Sequence, residues 1–141
     1  MPFLYLRDPL FLASVATYFV NRLVLKIIWT SGFVHEHLND LICIPFWVPI
    51  MLYVQRLLGL RAADGAPQSA EIVIPLLAWS WIFEIILPKT AILADRCTAD
   101  FMDICYYALG AFFAALFWKW WYAATAAHRD AWAIRHERGV P

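Results

Sequence analysis

The chain has 141 residues, of which 63% are hydrophobic and 16% charged, and it contains eight tryptophans. A soluble domain usually has about 45–50% apolar and about 25% charged residues, so this composition excludes an ordinary soluble domain and indicates that lipid covers much of the surface. The formal net charge is zero, which gives no reason to expect nucleic acid as a partner. We therefore expect a single-domain, all-α membrane protein.

Four apolar stretches predict four transmembrane helices in one helical bundle. They cover roughly residues 9–29, 38–60, 71–88 and 100–122. Spans of ~20 residues match a hydrocarbon core of ~30 Å. Asp8 and Pro9 suit the cap and the first turn of the first helix, and no signal-peptide pattern precedes it. Pro45, Pro49 and Pro75 lie inside predicted spans, where we expect kinks.

The distribution of basic residues predicts the orientation of these spans. The termini and the polar linker at residues 61–69 carry Arg7, Arg56, Arg61, Lys119, Arg129, Arg135 and Arg138, whereas the other side carries Arg22, Lys26, Lys89 and Arg96. The positive-inside rule then places both termini in the cytoplasm. Residues 123–141 are amphipathic and charged, which predicts a cytoplasmic interfacial tail.

Most of the unusual polar residues fall on the outer side of this arrangement. They are Asn21, Arg22, His35, His37, Asn39, Asp40, Glu84, Asp95, Asp100 and Asp103. Ionisable groups at membrane depth are costly, so such a cluster is a candidate functional site. Helix capping accounts for part of it, at Asn39, Asp40 and Asp100.

The deeper residues Arg22, Glu84 and Asp103 are the core of the predicted ligand site, with Asn21 and Asp40 beside them. Arg22 either extends to the lipid headgroups or turns inward and pairs with Glu84 or Asp103. An inward guanidinium would bind phosphate or carboxylate groups in a bidentate manner.

Two histidines on the outer side are candidate metal ligands. His35 and His37 are separated by one residue, and Asp40 could add an oxygen ligand. The alternative is that both histidines are solvated at the membrane interface. No histidine falls within the middle of a span, which argues against an axially ligated haem, and the sequence predicts no cofactor.

The three cysteines, Cys43, Cys97 and Cys105, are all expected near the outer face. Two of them could form a disulfide in an oxidising compartment, with Cys97 the favoured participant. The alternative for Cys43 and Cys105 is a role as small buried apolar side chains.

The third and fourth spans resemble the VanZ-like family of small bacterial membrane proteins, named after a teicoplanin-resistance protein. In that family a Glu at the end of one helix is followed by a Pro, a basic residue, and a helix that opens with Asp-x3-Asn-x2-Gly. This chain has Glu84, Pro88 and Lys89, and then Asp103, Tyr107 and Gly110 at that spacing. It departs from the pattern at Leu87, where the family has Gln, and at Tyr107, where the family has Asn. The similarity covers roughly residues 72–120.

The first half resembles another group of small bacterial membrane proteins, through the stretch from Phe33 to Pro45. Some members of that group carry the name magnesium–citrate secondary transporter. A four-span chain without inverted repeats is a poor candidate for alternating access unless it oligomerises. Both resemblances imply a four-helix membrane fold of unknown biochemistry.

Three functional hypotheses follow from these patterns. The first is a VanZ-like protein whose outward-facing pocket binds an anionic or amphipathic envelope ligand. The second is an accessory subunit of a larger membrane complex. The third is a metal-assisted membrane hydrolase or transferase that uses His35, His37, Asp40 and Asp103. Expected partners are membrane lipid and either another membrane protein or a second copy of the chain.

Overall fold

The computed structural model describes residues 1–86 and 101–137, with all side chains except those of residues 84, 85 and 129–137. This part of the chain is helical and contains no β-strand. Helix α1 covers Pro9–Ile28, α2 covers Phe33–Leu57, α3 covers Ser69–Trp81 and α4 covers Phe101–Glu137. A short 3-10 turn, Tyr5–Arg7, precedes α1.

Three of these helices are long and apolar enough to cross a membrane: α1, α2 and the Phe101–His128 part of α4. They match three of the four predicted spans. The fourth predicted span, at residues 71–88, corresponds to α3, an apolar helix of 13 residues that continues as a π-helical turn at Ile82–Ile86. The α-helical part is shorter than the ~20 residues that a ~30 Å hydrocarbon core requires. Residues 87 and 88 lie outside the described residues.

Helix α4 contains 37 residues without interruption. At 1.5 Å per residue it is about 55 Å long, which exceeds the thickness of a hydrocarbon core. The tail predicted to begin at residue 123 is therefore the last part of this helix as far as Glu137, and not a separate element.

The start of α1 follows the sequence prediction and adds a link to α4. Asp8 caps the helix by accepting hydrogen bonds from the backbone N–H groups of Leu10 and Phe11, and Pro9 occupies the first turn. The Asp8 carboxylate is fully buried. It also accepts hydrogen bonds from Trp118 Nε1 at 3.0 Å and from the Tyr122 hydroxyl at 2.7 Å. One side chain thus caps α1 and joins it to α4.

The core lies between α2 and α4. Ile44, Val48 and Leu52 of α2 are spaced by one helical turn and are almost fully buried. On the α4 side the buried cluster contains Tyr107, Ala111, Ala114, Trp118 and Tyr122. Helices α1 and α3 pack beside this pair, so α2 is the central helix of the described part of the chain.

A close backbone contact fixes the crossing of α2 and α4. A Cβ atom at Gly110 would overlap the carbonyl oxygen of Leu41. That carbonyl lacks its usual helical donor because the residue four positions later is Pro45, which has no N–H. A glycine therefore allows α4 to approach the exposed carbonyl, a packing arrangement typical of helices in membranes.

The outer surface of the helices is largely apolar. In each of the three membrane-length helices, only 17–28% of the most apolar 18-residue stretch is buried within the protein. Exposed side chains include Phe19, Ile27, Leu77, Phe112, Phe113 and Trp120. This apolar surface agrees with the prediction that lipid covers much of the chain.

The linker is held by a buried arginine. Arg61 is 7% exposed, pairs with both carboxylate oxygens of Glu71 at 2.7 and 3.1 Å, and donates to the Tyr5 hydroxyl and the Gly65 carbonyl. Burial alone would lower the pKa of Arg61, but the hydrogen bonds to Glu71 and Tyr5 raise that pKa above its ordinary value. Phe3 N–H donates to the Asp64 carbonyl, so the N-terminal segment joins the same network. We call this region the linker end, comprising residues 3–8, 61–71 and 118–122.

Candidate functional site

The candidate site lies at the opposite ends of the helices, where α1 finishes and where α2 and α4 begin. We call it the site end, comprising residues 18–22, 33–47, 79–83 and 103–107. Asp8 and Asn21 are thirteen positions apart in α1, and Asp103 and Trp118 are fifteen apart in α4. A rise of 1.5 Å per residue separates the two polar ends by about 20 Å along each helix.

Both helices that finish at the site end change to π-helical geometry there. In α1 the π turn covers Asn21–Leu25, and after α3 it covers Ile82–Ile86. Such turns interrupt regular hydrogen bonding and occur frequently at functional sites. Asn21, Arg22 and the backbone of Glu84, all predicted site residues, fall within these turns.

Asn21 joins the end of α1 to the first turn of α2. Its side chain is fully buried, and Asn21 Nδ2 donates to Asn39 Oδ1 at 2.9 Å. Capping was expected to account for Asn39 in part; among the described residues no side chain caps the Leu38–Leu57 segment of α2, and the Asn39 side chain bonds to α1.

His37, Asp40 and Asp103 form a compact group, here called the His37 group. His37 Nδ1 lies 3.3 Å from Asp103 Oδ1 and 4.0 Å from Asp40 Oδ2. One potential ligand atom from each residue lies within 4.8 Å of the other two, and all three side chains are half-buried. The group joins the start of α2 to the first turn of α4.

Neighbouring side chains fix the orientation of the His37 ring. Tyr106 stacks on it with ring centroids 4.5 Å apart and an interplanar angle of 24°, and Phe33 packs against Tyr106. Glu36 Oε2 lies 3.8 Å from His37 Nε2. Both ring nitrogens of His37 therefore face carboxylates.

A cavity of about 550 Å³ opens beside this group. Its lining comprises Tyr18, Asn39, Asp40, Ile42, Cys43, Phe46, Trp47, Phe83 and Tyr107. Asn39 and Asp40 form its polar end, and the aromatic residues form its walls. Trp79 stands behind the walls, with its ring centroid 4.8 Å from that of Trp47 and 5.5 Å from that of Phe83.

Three buried polar atoms at the site end have no hydrogen-bond partner in the described part of the chain. They are Asn21 Oδ1, Trp79 Nε1 and Ser80 Oγ. Buried polar atoms are rarely left unpaired in native proteins, because each one costs about 1–3 kcal/mol. Two of them adjoin lining residues of the cavity, because Asn21 bonds to Asn39 and the Trp79 ring packs against Trp47 and Phe83.

The predicted site residues fall into three sets. Asp40 and Asp103 meet at His37, and Asn21 lies near them through Asn39. Arg22 is exposed, and Asp103 pairs with His37 rather than with Arg22. His35 is half-buried and lies outside the His37 group.

Several predicted residues lie outside the described residues. They are Pro88, Lys89, Asp95, Arg96, Cys97 and Asp100, together with the side chain of Glu84. The predicted pairing of Arg22 with Glu84 and the predicted role of Cys97 in a disulfide therefore stay predictions. Cys43 and Cys105 are not bonded to each other: Cys43 lines the cavity and Cys105 is exposed.

The sequence reading missed the aromatic walls of the cavity. A signal was present, because Asn39, Cys43 and Trp47 recur every four residues and share one face of α2. Trp79 and Phe83 repeat the same spacing at the end of α3. A polar residue that leads into an aromatic stripe on two neighbouring helices is the pattern that would have indicated the cavity.

Comparisons of the chain with protein-family models, with curated proteins and with solved structures find no match.

Proposed function

We propose that this chain is a multi-pass protein of the bacterial inner membrane that binds an amphipathic envelope ligand in the cavity at the site end. The polar head of the ligand contacts Asn39 and Asp40, and its apolar part lies against Phe46, Trp47 and Phe83. Both termini and the linker end face the cytoplasm, so the cavity opens toward the outer leaflet.

The observation that carries this proposal is the combination of an aromatic wall and a polar end in one cavity. Ligand pockets are usually apolar, with a few polar groups that fix orientation. The hydrogen bond from Asn21 to Asn39 adds support, because it holds one of the two polar lining residues in place at the end of the cavity.

A second cavity serves as a contrast. It has a volume of about 580 Å³ and lies between α1, α2 and α4, where Leu10, Phe113 and Phe117 contribute to its lining. The hydroxyl of Ser14 in this cavity already donates to the Leu10 carbonyl at 2.8 Å. Its lining is otherwise apolar apart from Thr17, so acyl chains of the surrounding bilayer suit it and a polar head does not.

The topology in this proposal rests on charge and on the meeting of chain segments. The N-terminal segment contacts both Tyr122 and the linker at the linker end. The termini side and the linker carry seven of the eleven basic residues. The positive-inside rule then favours the cytoplasm for that end.

The VanZ-like resemblance is part of the same proposal. Of its motif residues, Asp103 belongs to the His37 group, Tyr107 lines the cavity and Gly110 contacts Leu41. Of these three residues, Tyr107 alone lines the cavity, and Asp103 bonds to His37 beside it, which supports a shared binding role at this end of the helices. The Tyr in place of the family's Asn places a ring on the cavity wall, which favours a ligand with more apolar surface.

Mass spectrometry of molecules that co-purify with the full chain in mild detergent tests the proposal. We expect the wild-type protein to retain about one amphipathic molecule per chain. Trp47→Ala removes a cavity wall and should reduce retention, whereas Trp81→Ala, at an exposed tryptophan of α3, should not. Cys43→Leu provides a second variant, which fills the cavity without removing a wall. Equal retention by the wild type and both cavity variants would contradict the proposal.

A further inference from the structure

We propose that the His37 group binds a divalent transition-metal ion, of the Zn²⁺ or Mn²⁺ class, at the polar end of the cavity. The ligand atoms are His37 Nδ1, Asp40 Oδ2 and Asp103 Oδ1. Within α2, Asp40 lies in the first turn of the Leu38–Leu57 segment and His37 immediately precedes that segment, while Asp103 lies in the first turn of α4. The ion would therefore connect two helices.

The spacing of these atoms suits an ion. Metal–ligand bonds of about 2.0–2.2 Å place neighbouring ligand atoms about 3.0–3.6 Å apart. His37 Nδ1 and Asp103 Oδ1 are already 3.3 Å apart, and Asp40 Oδ2 lies 4.0 Å from the same nitrogen. A small rotation of the Asp40 side chain brings it within range.

The surroundings of His37 are those of a metal ligand. A ligating histidine presents one ring nitrogen to the ion and usually donates the N–H of the other to a carboxylate or carbonyl. His37 presents Nδ1 to Asp40 and Asp103, while Glu36 Oε2 stands on the Nε2 side at 3.8 Å. Tyr106 stacks on the ring and limits its rotation.

Electrostatics favours an ion at the same place. Oxygen atoms of three carboxylates lie within 4.0 Å of one imidazole ring. A protonated imidazole offsets one negative charge, whereas a divalent ion with a neutral imidazole offsets two. Bound cations are often the largest local charges in such sites, and they permit like charges to approach.

A second observation, independent of the His37 group, also points to a ligand at this end. Asn21 is fully buried and bonds to Asn39, the neighbour of Asp40, yet Asn21 Oδ1 has no donor within the described residues. Three protein ligands leave coordination positions open for water. Such a water would be a hydrogen-bond donor beside Asp40, whose chain neighbour Asn39 bonds to Asn21.

The ligand set decides the class of ion. An imidazole nitrogen with two carboxylates suits Zn²⁺ and Mn²⁺ better than Ca²⁺ or Mg²⁺, which bind oxygen ligands. The open positions accept an anionic oxygen, so the ion converts an acidic cavity end into a receptor for a phosphate or carboxylate head. This last step rests on the proposed function, whereas the ion site itself does not.

Isothermal titration of the purified, tag-free full chain with ZnCl₂ and MnCl₂ tests the ion site. We expect one equivalent per chain, and at least about a 100-fold loss of affinity in His37→Gln and Asp103→Asn. Glu36→Gln should lose about tenfold, as is typical for a carboxylate that orients a ligand. His35→Gln is the matched control and should change affinity less than twofold. Undetectable binding by the wild type, or wild-type affinity in His37→Gln, would overturn the inference.

Footprinting of the wild-type protein tests the site without any substitution. Diethyl pyrocarbonate modifies accessible imidazole nitrogens, so a bound ion should protect His37 at least about fivefold and leave His35 unprotected. Equal modification of His37 with and without saturating ion would overturn the ion site.

Ligand retention with and without EDTA separates the two proposals. Loss of both ion and ligand after chelation supports the proposal that the ion binds an anionic head of the ligand. Retention of the ligand after removal of the ion contradicts the anionic head and leaves the cavity function in place. An ion that binds to a chain which retains no ligand overturns the proposed function and leaves the ion site in place.

Discussion

The linker end and the site end are both polar, but they differ in how completely their polar groups are paired. At the linker end Asp8 accepts four hydrogen bonds and Arg61 donates four, and both are buried. At the site end the His37 group is half-buried, and Asn21 Oδ1 has no donor among the described residues. Complete pairing is typical of a structural network, and the site end departs from it within the described part of the chain.

The outer polar residues were expected to form the functional site because ionisable groups at membrane depth are costly. Asp8 is at least as unusual, since it is a fully buried carboxylate, yet every contact described for it is structural. The number of polar residues at one end of a membrane protein therefore says less about function than the balance of their hydrogen bonds.

The largest effect on stability is expected at Asp8. Asp8→Ala removes the cap of α1 and the acceptor for Trp118 and Tyr122, which should lower the free energy of unfolding by about 3 kcal/mol. Asp8→Asn keeps one acceptor oxygen and should lose less than half of that. Unfolding in detergent micelles, followed by tryptophan fluorescence, measures both. A loss below about 1 kcal/mol in Asp8→Ala would remove the basis for calling the linker end structural.

The contact between α2 and α4 should give the next largest effect. Gly110→Ala introduces a methyl group into the space held by the Leu41 carbonyl, and overpacking of this kind costs about 1–3 kcal/mol. Gly65→Ala is the matched control, because a Cβ atom there meets nothing within 4 Å. The same unfolding assay should show no loss for Gly65→Ala. Equal effects of the two substitutions would argue against a tight crossing.

The smallest stability effect is expected within the site end. Asp103→Asn weakens a half-exposed pair with His37, and such pairs contribute about 0–1 kcal/mol. In the absence of added metal we expect the unfolding free energy to change by less than about 0.5 kcal/mol, although ion binding is lost. A cost of 2 kcal/mol or more would make Asp103 a structural residue and remove the contrast between the ends.

The parts of the fold that depend on local sequence were predictable. Asp8 and Pro9 indicated the start of α1, and apolar length indicated the three membrane-length helices. The end of α2 was less certain, because Leu58 and Leu60 extend the apolar run past Leu57, where the helix ends before Gly59 in a left-handed conformation.

The sequence identified the residues of the site as candidates, but it did not predict which of them contact one another. Asp40, Asp103 and His37 were all candidates, but the 66-residue separation of His37 and Asp103 means that their meeting depends on helix rotation. That rotation is set by the Gly110 contact and by the α2–α4 core, which no local pattern reveals. The pairing of Asn21 with Asn39 depends on tertiary packing in the same way.

The uninterrupted course of α4 has a mechanical consequence. Asp103 and the two residues that bond to Asp8 belong to one rigid rod, so α4 cannot shift at one end while its other end stays fixed. Helix α1 differs, because the Asn21–Leu25 turn divides it before its last residues. A conformational change that leaves the Asp8 hydrogen bonds intact therefore leaves α4 in place. The segment that can move in such a change is the end of α1 that follows the Asn21–Leu25 turn.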